Sequence, residues 1–244
     1  MKGIILAAGR GSRMGDQTKN LPKCRSILHG KELIQWQLDA LYGAKIKDVA
    51  IVRGYLGETF TFDLSYFNNP RWANTNMVVS LMMAKDWLLD YTCIASYSDI
   101  VYSKDAVKRL IKAKGDIVIT YDPNWKELWS KRFSNPLLDA ETFILKNKRV
   151  IEIGNRASTI DEIQGQYMGL IKFTPVGWKQ VQSYLGNFSQ DELDNMDMTT
   201  LFQGLISVNY KIYATPINDC WFEVDSINDL ELYNSSQYHN NLIT

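Results

Sequence analysis

The sequence predicts an α/β fold, three layers deep, with helices on both faces of a mixed, mostly parallel sheet. Two observations lead there. Strand-like and helix-like segments alternate through the first half of the chain, the rhythm of consecutive βαβ units. The first strand also breaks directly into a glycine-rich turn, at the carboxyl edge where open α/β sheets collect their ligands.

In order, Gly3–Ala8 is a strand and Glu32–Leu41 an amphipathic helix, with Leu33, Trp36, Gln37 and Ala40 at helical spacing and Gly43 ending it. Asp48–Val52 reads as the second strand, Met77–Leu89 as a helix and Tyr91–Tyr97 as a strand. Lys104–Lys112 then reads as a helix and Asp116–Tyr121 as a strand. The rhythm changes after Tyr121. Asp122–Phe133 is rich in Trp, Lys and Pro, and Leu137–Gly154 reads as two or three short strands. Residues 122–165 are therefore expected to form a small, β-rich, lid-like insertion beside the sheet. Gln166–Phe173, Lys211–Ala214 and Trp221–Val224 are further strands, Pro175–Tyr184 is a helix, and Ser226 caps a last helix to Tyr233. No repeat, low-complexity tract or long linker divides the chain, which implies one domain over 1–244.

With 244 residues and 45% hydrophobic content, such a domain can bury a substantial core. Lys plus Arg and Asp plus Glu each number 27, so no basic excess exists to track a nucleic-acid backbone. The apolar run Ile4–Ala8 is too short for a signal peptide or a membrane span. Cys24, Cys93 and Cys220 are widely spaced and odd in number, which speaks against a disulfide framework or a zinc site. A soluble, reduced, cytoplasmic protein is the expectation.

The chemistry is concentrated at the start. The turn Gly9-Arg10-Gly11-Ser12-Arg13-Met14-Gly15 lets backbone N–H groups approach phosphate oxygens, because no Cβ stands in the way. Arg13 and Lys23, in Pro22-Lys23, add positive charge where a pyrophosphate leaves and an anion attacks. A dinucleotide fingerprint fits poorly: Met14 stands where its third glycine belongs, and the second strand ends at Arg53-Gly54 without an acid for a ribose.

Leu6-Ala7-Ala8-Gly9-x-Gly11-x-Arg13-Met14, then Leu21-Pro22-Lys23 and Gly30-Lys31-x-Leu33-Ile34, resembles the signature of the nucleotidyltransferases that make sugar nucleotides and CDP-alcohols. The resemblance covers 1–100 and, in part, 195–235. It implies a Rossmann-like, GT-A-type sheet joining a nucleotide-binding half to an acceptor-binding half, the acceptor lying at the insertion. It also implies nucleotide binding by Leu6, Ala7, Ala8, Gly9, Gly11, Ser12 and Arg13, and catalysis by Arg13 and Lys23.

Attack on an α-phosphorus calls for a divalent cation, here Mg²⁺ on oxygen ligands. Asp99 ends the strand that starts at Tyr91, and Asp225 ends the strand Trp221–Val224. The resemblance matches Ser98-Asp99-Ile100 and Glu223-Val224-Asp225-Ser226 to the family's two metal-binding aspartates, with Ser98 beside the nucleotide. A turn residue and a helix cap are the competing readings of Asp99 and Asp225. Many relatives carry two acids at the mid-chain position, where Ile100-Val101 follow Asp99 here.

His29 and His239 are the only histidines, and neither lies in a motif. No catalytic base is needed if an acceptor phosphate or phosphonate arrives as an anion. Asn74–Leu81 resembles a segment of the cytidylyltransferases that act on phosphocholine or 2-aminoethylphosphonate, a group that also includes one acting on phosphoglutamine. Asn76 and Ser80 would there help hold the pyrimidine, the ribose or the acceptor, and capping of the helix at Met77 competes for Asn76. Lys23, Trp129, Arg132, Glu162 and Tyr167 are candidate acceptor residues. Trp125 and Trp129, four apart on a helix, are equally a core or interface stripe, which leaves a homodimer open.

The expected function is a Mg²⁺-dependent transfer of CMP from CTP to a small phosphate- or phosphonate-bearing acceptor, releasing pyrophosphate and serving cell-surface polysaccharide or lipid decoration. The alternatives are a hexose-1-phosphate nucleotidyltransferase using UTP or dTTP, and a glycosyltransferase of similar fold.

Overall fold

The computed structural model describes residues 1–235; His239, expected in a polar tail, lies outside the described residues. Strand β1 (Lys2–Ala7) leads to a two-residue hairpin, β2 (Ile27–Leu28) with β3 (Lys31–Glu32), and then to α1 (Leu33–Gly43). Next come β4 (Val49–Arg53), β5 (Ser65–Asn68), α2 (Met77–Met82), α3 (Lys85–Asp90), β6 (Cys93–Tyr97), β7 (Ile100–Tyr102) and α4 (Lys104–Lys112). They are followed by β8 (Ile117–Asp122), α5 (Trp125–Arg132), β9 (Glu141–Lys146), β10 (Arg149–Arg156) and β11 (Gln166–Phe173). Helices α6 (Pro175–Leu185), α7 (Gln190–Asn195) and α8 (Met198–Ser207), strands β12 (Ile212–Pro216) and β13 (Trp221–Glu223), and α9 (Ile227–Asn234) complete the described chain.

Nine strands form one sheet in the order β5-β4-β1-β6-β11-β8-β12-β10-β9. Only β11 and β10 run against the others, so the sheet is mixed and mostly parallel. Alternate residues of β1 enter opposite layers: Ile5 and Ala7 pack with α1 and α4, whereas Ile4 and Leu6 pack with α2, α6 and α8. A third apolar cluster, built on Met14, Leu28, Leu33, Val101, Phe222, Val224 and Tyr233, lies outside the main sheet. That cluster seats the glycine turn.

Two sequence expectations are corrected, and α1 ends at Gly43 as expected. The helix expected over Met77–Leu89 is two, because Met83 and Ala84 donate to Ser80 O and Leu81 O in a tightened turn that buries Ala84 completely. Gly43 is the last residue of α1, but the left-handed residue beyond it is Lys45 (φ 68°). Gly43 lies close to α4, where an added Cβ would stand 3.1 Å from Lys104 Cβ and make that side chain give way. The short strands of the insertion, β9 and β10, do not make a separate lid; they extend the main sheet beyond β12.

No helix among the described residues is long and apolar enough to cross a membrane. Packing energy is concentrated in large side chains such as Trp178, which is 1% exposed and edge-on to Phe173 at 5.9 Å. Trp178→Ala should cost about 3–5 kcal/mol. A urea titration reads this as a lowered midpoint at constant slope; a loss below about 1 kcal/mol would show that α6 is not part of the cooperative core.

Candidate active site

The turn after β1 is held open by its own chemistry. At Gly9 an added Cβ would meet nothing within 4 Å, so the backbone there borders free space. Gly11 has φ +66°, and a Cβ on it would lie 2.6 Å from Lys23 Cβ. Only glycine lets the turn and the Lys23 stem pass this closely. Thr18 Oγ1 donates to Gly11 O at 3.2 Å and Gly15 O at 3.3 Å, while Met14 is fully buried. Ser12 and Arg13 remain exposed between these anchors.

A second, small ladder brings the two aspartates together. Strand β7 pairs antiparallel with β13, Glu223 opposite Ile100, and Val224 N–H donates to Asp99 O at 2.8 Å. Asp99 precedes β7 and Asp225 follows Val224, so one register fixes both carboxylates at the same end of the ladder. Gln37 of α1, completely buried, braces the turn. Its Nε2 donates to Tyr97 O at 3.0 Å and Ile100 O at 2.5 Å, on either side of Asp99.

Lys23 Nζ sits between the carboxylates, 2.8 Å from Asp99 Oδ2 and 2.7 Å from Asp225 Oδ1. Arg13 Nη1 lies 3.2 Å from Asp225 Oδ2, with its side chain 69% exposed. Burial opposes the Lys23 charge, yet Asp99 and Asp225 outweigh it and raise the ammonium above its ordinary value. Burial likewise opposes ionisation of Asp225, but Lys23, Arg13 and Arg132 hold it below the usual carboxylate range. Glu223 is pushed up to about 7 by burial and by Asp225, against the pull of Arg132.

Asp99 Oδ1 is buried and has no hydrogen-bond partner among the described residues. A spare buried carboxylate oxygen beside a second carboxylate is a donor set that fits a hard divalent cation. No cluster of three or more His, Cys, Asp or Glu suited to a metal occurs among the described residues, so any ion would complete its shell with water and phosphate oxygens.

The structure therefore unites Arg13, Lys23, Asp99 and Asp225 with the Gly9–Gly15 turn. Ser98 is half-buried beside Asp99. The helix-cap reading of Asp225 fails, because Ser226 is the cap and Asp229 its partner in a capping box. Asn76 does cap α2, its Oδ1 accepting from Met77 N at 2.7 Å. Ser80 is buried, and its hydroxyl accepts from Asn69 Nδ2 at 3.1 Å.

Three of the candidate acceptor residues are engaged elsewhere. Trp129 is 4% exposed, donates to Asp139 Oδ2 at 2.9 Å and packs on Trp125 and Trp221, so the core reading of the Trp stripe holds. The Arg132 side chain is 1% exposed and locked to Glu223 and Asp229. Glu162 closes a capping box, its Oε2 accepting from Ser158 N and Thr159 N. Tyr167 stands edge-on to Tyr97, on the strand that leads to Asp99. Gln37, Asn69 and Asp229 escape sequence reasoning as supports of the site; only Asp229 left a signal, the Ser226-x-x-Asp229 spacing.

Strand, glycine turn and paired carboxylates at one sheet edge define a nucleotidyltransferase. The chain belongs to the MobA-like NTP transferase domain family, whose model matches residues 3–152. It is 39% identical to a CTP:phosphoglutamine cytidylyltransferase of Campylobacter jejuni, an alignment covering 95% of this chain and 98% of that one. A choline-phosphate cytidylyltransferase of Streptococcus pneumoniae is 37% identical over 36% of this chain and 41% of its own. Among solved structures, the inositol-1-phosphate CTP transferase from T. maritima superposes with TM-score 0.79 at 19% identity, covering 99% of this chain and 94% of its own. The two share a fold.

Gly11→Ala tests the turn. A left-handed alanine costs about 1–2 kcal/mol, and its methyl group must displace Lys23. Turnover should fall at least about tenfold while circular dichroism stays native; unchanged turnover would mean that Lys23 does not need its present position.

Proposed function

We propose that the protein transfers CMP from CTP to a phosphorylated amino acid of the phosphoglutamine type, releasing pyrophosphate. The observation that carries this reading is the Lys23 ammonium gripping Asp99 and Asp225 beside the open backbone at Gly9. The likeness to the C. jejuni enzyme along almost the whole chain supports the nucleotide and the acceptor class.

An oxygen of the acceptor's phosphoryl group bonds to the α-phosphorus of CTP as the bond to the β-phosphate bridging oxygen breaks. The attacking oxygen is already anionic, so no side chain has to remove a proton. Backbone N–H groups of the Gly9–Gly15 turn are placed to meet the triphosphate, and exposed Arg13 can balance charge as pyrophosphate leaves. Lys23 can turn from the carboxylates to a phosphate oxygen and hold the reactants in line. Asp99 and Asp225 would hold Mg²⁺, which supplies charge compensation on the phosphates. Delivery of the product to cell-surface polysaccharide or lipid decoration belongs to the same reading.

Phosphorus NMR and a pyrophosphate assay, run with four nucleoside triphosphates against phosphoglutamine, phosphocholine, 2-aminoethylphosphonate and glucose 1-phosphate, test it. Stoichiometric pyrophosphate with CTP and phosphoglutamine is expected. A preference for UTP with the sugar phosphate would overturn it.

Asp99→Asn and Asp225→Asn should each lower kcat at least a hundredfold, about 2.7 kcal/mol, in proteins whose circular dichroism stays native. Near-normal turnover at saturating Mg²⁺ would remove that residue from the metal's ligands. The pH profile follows from the charges. Lys23 stays protonated beyond its ordinary 10.5 and Asp225 stays ionised below 3.8. Neither titrates between pH 5 and 9.5, whereas Glu223, pushed up to about 7 by burial and by Asp225, does. The kcat/KM profile should therefore carry the limb of the acceptor's own phosphoryl group, measured independently by NMR, and one limb near 7 that Glu223→Gln removes. A fall on the alkaline side before pH 9 that persists in Glu223→Gln would point to a protein acid or base.

A further inference from the structure

We infer that Arg132 is a positioning residue for Asp225, reaching from the insertion into the metal-holding edge, and that it does not contact the acceptor. This rests on the reading of Asp225 as a metal-holding carboxylate. Arg132 ends α5, and its guanidinium lies among three acids. Nη1 donates to Glu223 Oε2 at 2.6 Å, Nε to Asp229 Oδ1 at 2.9 Å, and Nη2 lies 3.7 Å from Asp225 Oδ2. The rings of Trp129 and Phe133 flank it at 5.2 and 5.1 Å from their centres.

Asp229 passes this restraint to the backbone. Its second oxygen, Oδ2, accepts from Asp225 N at 3.1 Å, Ser226 N at 2.9 Å and Ser226 Oγ at 2.8 Å. Arg132 therefore holds the turn of Asp225 through Asp229 and draws Asp225 Oδ2 by charge, while its bond to Glu223 anchors the guanidinium on the neighbouring strand. A planar fork with five donors can satisfy such a set; an ammonium cannot. Partners of this kind, one step behind a metal ligand, typically change metal affinity or activity 10–100-fold when removed.

Binding of Mn²⁺ to the CTP complex, followed by water-proton relaxation or electron paramagnetic resonance, reads this directly alongside steady-state kinetics and thermal melting. For Arg132→Met and Asp229→Asn, Mn²⁺ affinity should fall at least about tenfold, with the acceptor KM moving less than about threefold. The double variant should be little worse than the weaker single one, because both break one chain of contacts. A raised acceptor KM with unchanged Mn²⁺ affinity would make Arg132 an acceptor contact. A lowered melting point with unchanged Mn²⁺ affinity would make it a brace of the fold alone. Should Arg132→Met fail to fold, Arg132→Lys and Asp229→Asn are judged on the same two readouts. If the wild-type protein binds Mn²⁺ with CTP yet transfers nothing, the proposed reaction falls and this inference stands.

Discussion

An ammonium shared between two carboxylates sets the geometry of this protein's edge. Asp99 and Asp225 have side chains only 19% and 16% exposed and reach the same nitrogen, so without Lys23 two like charges would face each other with little solvent. Such a pair would be forced to take up a proton or to separate. Lys23 prevents both. Its own burial is tolerable for the same reason, since two hydrogen-bonded anions offset its lost hydration. The cation depends on the carboxylates as much as they depend on it.

That arrangement has a consequence for what the site can admit. Lys23, Arg13 and Arg132 face Asp99, Asp225 and Asp229, three cations against three carboxylates, with Glu223, raised to about 7, adding part of a fourth negative charge. The cluster therefore leans slightly negative, while the turn beside it offers backbone donors to anions. Under the proposed reaction, a triphosphate that draws Lys23 away would leave the carboxylates uncompensated unless a divalent cation took the ammonium's place. A lysine, a mobile point charge on a long stem, suits such an exchange better than a guanidinium fork.

Much of this was legible in the residues, and the limits have physical causes. The Gly9–Gly15 turn, Arg13, Lys23, Asp99 and Asp225 are legible as a set, and the fold does bring them together, because the family resemblance marks residue types at fixed spacings. Strands β1, β4, β6, β8 and β11 are equally plain as apolar runs. Helix α8 carries Met198, Leu201, Phe202 and Leu205 on one face, a periodicity present but not read. The split between α2 and α3 is invisible to periodicity, since Val78, Leu81 and Leu88 stay on one side in either form. Gln37 reads as a polar residue within an apolar helical face; only the fold reveals that it clamps the Asp99 turn. The insertion misled most, because Trp129, Arg132 and Glu162 have the right chemistry for an acceptor, and partners distant in sequence claim them first.

Arg132 is the instructive member of that set. The insertion contributes strands to the far side of the main sheet, and through α5 it also touches the turn that carries Asp225. Any change in the insertion that shifts α5 must strain a guanidinium enclosed by Glu223, Asp229, Trp129 and Phe133. A packed, fully engaged group does not yield gradually; it holds or it lets go. The half of the protein expected to receive the acceptor is thereby in mechanical contact with the half expected to hold the nucleotide. The contact runs through charge, hydrogen bonds and two aromatic faces.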